Sequence, residues 1–355
     1  MSLLWMHGFD NVNVGDRDAV QYGLFEGALS GSGHQVSSFA RRSGGRSLYC
    51  DNGNQHQYKF LPEQNNNTIY YGFGMYVNGS TYSATGKFLL SLMYGTSYKT
   101  AMGCVGTGIQ GKFKLTILNG SLTTLLTSNY VFSPYTWYWV EAKIKLGVST
   151  NDGIVELRVN GVVDQTVTSV NTNTDSSGKV DRLSFYIQGP SATYMDDFYI
   201  LNDSGTYNNI YLGDVAIEAL TPNGEGTYTQ WTPSTGTTHY TMVDDPIYTN
   251  SSNAADYVSS DVLNNRDSFQ LTDLSANTNV KGIMLEAMAW KSDSASRAIL
   301  PFFVIDTVDY DIGTDISLNE ATKRFFWIVE KNPNGNTEWT KTVLDSMQVG
   351  FKVTV

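Results

Sequence analysis

The chain has 355 residues, 41 % of them apolar and 16 % charged, and a formal charge of −11. An acidic balance of that size repels a phosphate backbone, so nucleic acid is excluded as an expected partner, and no apolar run is long enough to insert in a membrane as a helix. The length allows two hydrophobic cores, and 22 Tyr among many Ser, Thr and Asn favour sheets with hydroxyl-rich faces.

The opening M-S-L-L-W-M-H-G-F-D lacks a basic stretch followed by a long apolar one, so it reads as a first strand rather than a secretion signal. The expected setting is a cytoplasm without export; Cys50 and Cys104 read as two buried reduced thiols, the alternative being a disulfide between them. Short period-two segments follow at 36–39, 47–50, 57–60, 68–76, 87–94, 100–104, 112–118 and 122–127. The densest run comes next: W-Y-W-V-E-A-K-I-K-L from Trp137, G-I-V-E-L-R-V-N-G-V-V-D-Q from Gly153, R-L-S-F-Y-I-Q-G from Arg182 and Y-M-D-D-F-Y-I-L from Tyr194. Asn160-Gly161 supplies the positive φ angles of a two-residue hairpin turn within it. So many short, evenly spaced strands predict a jelly roll or double-sheet sandwich over residues 1–212.

Residues 213–240, rich in Gly, Pro and Thr around Trp231, read as a linker arm, with Trp231 as an interface anchor and 215–220 as a further strand that pairs with the smaller domain or bridges the two parts. Strands at 268–271, 282–290, 297–304, 324–330 and 348–355 predict a smaller C-terminal β-domain over 241–355. Helix is expected at 340–347, capped by Thr340, and as a single turn at 315–323 with Asn319 as cap. The fold class is therefore all-β: an N-terminal β-sandwich followed by a smaller β-domain.

The stretch from Trp137 to Leu201 resembles the laminin-G and concanavalin-like superfamily, through Trp137, Trp139 and Val140, the V-E-L-R-V-N-G hairpin, and a closing strand with Asp196, Asp197 and Phe198. The likeness covers residues 1–205, with Phe9-Asp10 on the opening strand, and implies a jelly-roll/concanavalin-like sandwich. The segments E-A-L-T-P-N-G, Q-W-T-P-S-T-G and Y-T-M-V-D-D, up to Asp245, are similar to tailed-bacteriophage virion proteins that join such a sandwich to a second β-domain. That resemblance implies a structural component of the particle.

Glucanases of this fold place glutamates at i and i+4 on one strand face, with an Asp between. No E-x-D-x-E or E-x-D-x-x-E occurs here; Glu141 has Lys143 and Glu156 has Arg158 as same-face neighbours, which reads as structural charge pairing. His7, His34, His56 and His239 have no metal-ligand spacing. The chain is therefore expected not to be an enzyme. No cofactor is expected, and calcium is the one credible metal: lectin-like sandwiches often hold it at a sheet rim, with Asp196 and Asp197 as first candidate ligands and Asp10 or Asn52 from a facing loop; the alternative is that the Asp pair caps and hydrogen-bonds loops, and strand alternation lets at most one of the pair point inward. The acidic loop of Asp306, Asp309, Asp311 and Asp315 fails the EF-hand spacing. A glycan site needs aromatics for stacking, and Tyr94, Tyr98, Tyr130, Tyr135 and Trp137 sit in or beside loops.

Two functions stay open. One is a non-enzymatic virion structural protein, assembled in the host cytoplasm and displayed as a capsid decoration, head fibre or tail component, with other virion proteins and copies of itself as partners. The alternative is an adhesin that recognises a host surface glycan.

Overall fold

In a computed structural model, the described residues are all except 17–23, 26, 30–33, 51–54, 66, 80–86, 150, 188–191, 247–255 and 276–278. The chain divides into two compact units, Met1–Ile217 and Glu218–Val355. It is a nearly all-β molecule, and the first unit is a sandwich of two antiparallel sheets.

The strands of the first unit are β1 (Leu3–His7), β2 (Gly27–Leu29), β3 (His34–Ser37), β4 (Ser47–Cys50), β5 (Gln55–Asn65), β6 (Thr68–Asn78), β7 (Lys87–Tyr94), β8 (Ser97–Gly106), β9 (Phe113–Asn119), β10 (Thr124–Thr127), β11 (Trp137–Lys145), β12 (Gly153–Val159), β13 (Val162–Val170), β14 (Lys179–Ile187) and β15 (Ala192–Asn202). One sheet runs β13-β12-β11-β6-β15-β4-β3, with β1 also on β15; the other runs β10-β9-β8-β7-β14-β5-β2. Along β11, Tyr138, Val140, Ala142 and Ile144 are buried and pair with Met75, Phe73, Tyr71 and Ile69 of β6. These residues share one face because side chains alternate along a strand. Trp5, Phe25, Phe185 and Phe198 pack together between the sheets, with ring centroids 5.0–6.5 Å apart. Each such buried side chain contributes about 1.5–3 kcal/mol. Asn160 and Gly161 have φ of 50° and 80° and close the β12–β13 hairpin as the sequence predicts. Cys50 and Cys104 are free and buried, and burial pushes both thiols far above their ordinary range.

The second unit contains β16 (Pro222–Thr229), β17 (Thr232–Pro233), β18 (Val258–Ser259), β19 (Arg266–Leu271), β20 (Ile283–Ala289), β21 (Ala298–Ile305), β22 (Val308–Asp311), β23 (Ile316–Ser317), β24 (Lys323–Val329), α1 (Lys341–Ser346) and β25 (Gln348–Val353). The main sheet is β16-β19-β25-β21-β22 with β23 also on β21, while β17-β18 and β20-β24 pair separately. Phe303, Ile305, Ile312, Trp339, Leu344, Met347 and Val349 form its core, with Leu285 and Trp327 packed on it. Thr340 caps α1 by accepting from Val343 N–H at 3.3 Å, as expected.

Three sequence expectations change. Residues 222–229 of the supposed linker arm are β16, paired with β19. The glycines there allow close approach, since a Cβ at Gly226 would stand 2.5 Å from the backbone of Ser268. The turn of helix at 315–323 is absent, because Ile316 and Ser317 pair with Ile299 and Ala298 instead. Residues 215–220 form no strand. Among the described residues, no helix is long and apolar enough to cross a membrane.

Candidate functional site

The site lies on the face of the first sheet that points away from the core. Its residues are fixed by strand register. Trp137 pairs with Tyr76, Tyr76 with Tyr194, and Tyr194 with Tyr49, so four aromatic side chains form one row across β11, β6, β15 and β4. Phe39, in the loop after β3, sits against this row. Its ring centroid is 4.7 Å from Tyr76, 5.0 Å from Tyr194 and 5.7 Å from Trp137, stacked on the last at 19°. Tyr49 lies 5.0 Å from Tyr194. The loop is held by Phe39 N–H donating to Ser37 Oγ at 3.0 Å and by Ser47 Oγ donating to Phe39 O at 2.5 Å. Phe39 is 41 % exposed and the four row residues are half-buried.

The next positions along the strands are closed. Gly74 and Gly72 on β6 leave a trough, which Arg41 and Tyr199 fill. A Cβ at Gly74 would stand 2.5 Å from Arg41 Cδ, and one at Gly72 2.5 Å from Tyr199 Cε1. The Arg41 guanidinium also lies over the Trp139 ring at 4.8 Å, a cation–π contact. Tyr199 donates to Glu141 Oε1 at 2.7 Å, and that same oxygen accepts from Gly213 N–H at 2.9 Å. Burial and the Glu141 carboxylate hold the Tyr199 phenol well above its ordinary range. Glu141 is therefore committed to Tyr199 and the 212–217 segment. Its expected partner Lys143 instead has its ammonium 5.9 Å from the Tyr70 ring. The Glu156–Arg158 pair forms as expected, at 2.8 Å.

Asp196 and Asp197 sit at a break in the β15–β6 register, and Asp197 has φ of +53°. The extra residue interrupts strand alternation, so both carboxylates are buried, where the sequence allowed one. Asp196 accepts from Arg41 N–H at 2.9 Å and from Asp197 N–H at 2.8 Å. Asp197 accepts from the Arg41 and Arg42 guanidiniums at 3.2 and 3.1 Å, and from Ile217 N–H at 2.8 Å. Burial, and secondarily the Asp197 charge, raise the Asp196 carboxyl to about 8. The expected calcium ligands thus face two arginines. Asp10 accepts from Arg46 N–H at 2.6 Å, and Asn52 lies outside the described residues. Among the described residues, no group of three or more His, Cys, Asp or Glu is placed to hold a metal.

The other expected residues scatter. Tyr135 is 57 % exposed and donates its N–H to Val77 O at 3.0 Å, which puts it at the Trp137 end of the sheet. Tyr94 and Tyr98 flank the β7–β8 turn of the other sheet, where the Lys99 and Lys179 ammoniums lie 5.8 and 5.5 Å from the Tyr94 ring. Tyr130 packs on Phe132 at 4.9 Å. Trp231 donates its indole N–H to Asn265 O at 3.1 Å within the second unit. Sequence reasoning missed Phe39, Tyr49, Tyr76 and Tyr194, because strand periodicity marks a face but not which residues of different strands stand opposite one another.

No family model matches the chain, and no curated protein matches it. The laminin-G and virion resemblances are therefore carried by the quoted residues alone. Among solved structures, the chain is similar to alginate lyase Aly36B, at 15 % identity and a TM-score of 0.41 over 56 % of this chain and 96 % of that one. It is similar to domain 4 of AbnA, an extracellular arabinanase from Geobacillus stearothermophilus in complex with arabinotriose, at 13 % and 0.38 over 56 % and 92 %. It is also similar to the carbohydrate esterase vb_24B_21 from the Shiga toxin-encoding bacteriophage phi24B, at 12 % and 0.33 over 49 % and 88 %. These matches overturn the expectation of a chain that is not an enzyme, since a lyase and an esterase are among them. A missing paired-glutamate motif speaks only to glucanase-type hydrolysis.

Proposed function

We propose that the first unit is a glycan-binding module that recognises a host surface carbohydrate. The observation that supports this reading is the row Trp137–Tyr76–Tyr194–Tyr49 with Phe39 against it, partly open to solvent on a rigid sheet. Sugar rings present apolar C–H faces and a rim of hydroxyls. A platform of indole, phenyl and phenol groups offers flat apolar surface for the first and hydrogen-bonding hydroxyls for the second. A glycan array probed with the full chain tests it. Binding to a defined set of glycans, lost in Trp137→Ala with the melting temperature of the protein preserved, is the expected result. Silence across the array, or binding unchanged in Trp137→Ala, would overturn the assignment.

The setting we propose is a bacteriophage particle, with the module displayed by a virion protein assembled in the host cytoplasm beside capsid or tail subunits. The segments E-A-L-T-P-N-G, Q-W-T-P-S-T-G and Y-T-M-V-D-D support it, as does a chain with only 16 % charged residues, whose surface can be buried against neighbours with little desolvation of charge. Quantitative mass spectrometry of purified particles provides the test. Near parity with the major capsid protein supports head decoration, a few to a few dozen copies a tail or fibre, and absence from the particle refutes this setting.

A further inference from the structure

Building on the glycan-binding reading, we infer that the ring row takes a short stretch of neutral glycan, about a trisaccharide long, lying across the strands.

Length follows from where the row ends. Four adjacent strands span three spacings of roughly 4.8 Å, a platform of about 14 Å. Beyond Tyr49, among the described residues, comes Gln35 on β3, at the end of the strand order. Beyond Trp137 the neighbouring strand has already turned back. Val140 is the residue opposite Val159, Asn160 N–H donates to Trp139 O at 2.8 Å, and Trp137 has no cross-strand partner on β12. Along the strands toward Gly72 the way is blocked by Arg41 over Gly74 and Trp139, and then by Tyr199 and Glu141, which accept from Leu212 and Gly213 N–H respectively. A chain therefore cannot run lengthwise past Gly74 over the sheet. It crosses the row, and among the described residues neither neighbouring strand continues the row with a fifth ring.

Neutrality follows from the charges beside the row. The loop that carries Phe39 also carries Arg41 and Arg42, the cations that a uronate or sialate carboxylate would seek. Both guanidiniums are bridged to the same two carboxylates, Asp197 and Asp214, and both donate to Val215 O. Two positive charges thus meet two negative ones, and the Asp196 carboxyl between them is held toward its neutral form. The ring row itself presents phenols, an indole and a phenyl group. Among the described residues of the row, an acidic sugar would give up its hydration without meeting a counter-charge.

The test is titration calorimetry of the full chain with gluco-, manno-, galacto- and arabino-oligosaccharides and with alginate-derived oligouronates, each from one to six units, at two ionic strengths. The expected result is that a neutral series binds, with affinity rising about tenfold for each added ring contact up to three units and less than twofold beyond. Affinity is expected to be indifferent to salt and to disappear in Trp137→Ala. Affinity that keeps climbing from three to six units overturns the length. Preference for the oligouronates, weakening with salt, overturns neutrality while leaving the glycan reading intact. Binding that survives Trp137→Ala places the ligand elsewhere and overturns the assignment of the row. No heat with any series, together with a silent array, overturns the glycan reading itself.

Discussion

The replacement Asp197→Asn separates a structural ion pair from a metal site. Asn keeps the size of the side chain and tolerates the positive φ of 53° at this position, so the change removes charge and little else. The Asp197 side chain is 3 % exposed and that of Arg41 12 %, so their contact at 3.2 Å is nearly buried. A hydrogen bond to a charged group in such a place contributes about 1.5–3 kcal/mol. The Arg42 contact counts for less, because that side chain is 47 % exposed; pairs of this kind contribute at most about 1 kcal/mol. Stranding a buried guanidinium would raise the loss toward roughly 3–5 kcal/mol, but Asp214 still holds both arginines, which keeps the cost low in that range. Removing the Asp197 charge also relieves Asp196, a partial offset. The net expectation is a loss of about 2–3 kcal/mol, measured by urea unfolding of the first unit near neutral pH. The pH profile adds a second readout. The folded-state value of Asp196, about 8, lies above its unfolded value near 3.9. Its contribution to stability is therefore full below the unfolded value and is lost as pH rises through the folded one. With Asp197 neutralised the folded value falls, so the variant should lose less stability between pH 4 and 8 than the parent does. A loss under about 0.5 kcal/mol, with an unchanged pH profile, would refute the ion-pair account.

Gly72→Ala places a Cβ 2.5 Å from the Tyr199 ring; displacing that ring and its hydrogen bond to Glu141 should cost about 2–4 kcal/mol, read from the same urea unfolding. A variant within about 0.5 kcal/mol of the parent would show that the trough is not tightly filled. Millimolar calcium should leave the melting temperature of the first unit unchanged, since Asp197 is already neutralised by Arg41 and Arg42; a rise of several degrees that EDTA reverses would restore the metal reading. Thr340→Ala removes the acceptor of Val343 N–H at the start of α1 and should destabilise the second unit by about 1 kcal/mol in thermal unfolding, with no effect on the first.

How far the sequence reaches depends on whether a feature is local. The period-two run over β11 and β12, the Asn160-Gly161 turn and the Thr340 cap each depend on residues a few positions apart, and each stands where the sequence puts it. The same local logic misreads β16, because glycine and proline mark a loop unless a partner strand is known. Gly226 is needed for the close approach of Ser268, forty-two residues later. It also misreads the acidic pair of β15. Alternation assigns Asp196 and Asp197 to opposite faces, and only the register with β6 reveals the irregularity that turns both inward. The ring row is the extreme case. Trp137 is visible as an aromatic at a strand start, but its three row partners come from β6, β15 and β4, as many as 88 residues away in the case of Tyr49. A shift of one residue in any of these pairings would send that strand's aromatic into the core and break the platform. What holds the register is the opposite face of the same strands, where Met75, Phe73, Tyr71 and Ile69 must meet Tyr138, Val140, Ala142 and Ile144. The core thus aligns the rings, and a core substitution that let β6 slip would break the row without touching a single residue of it.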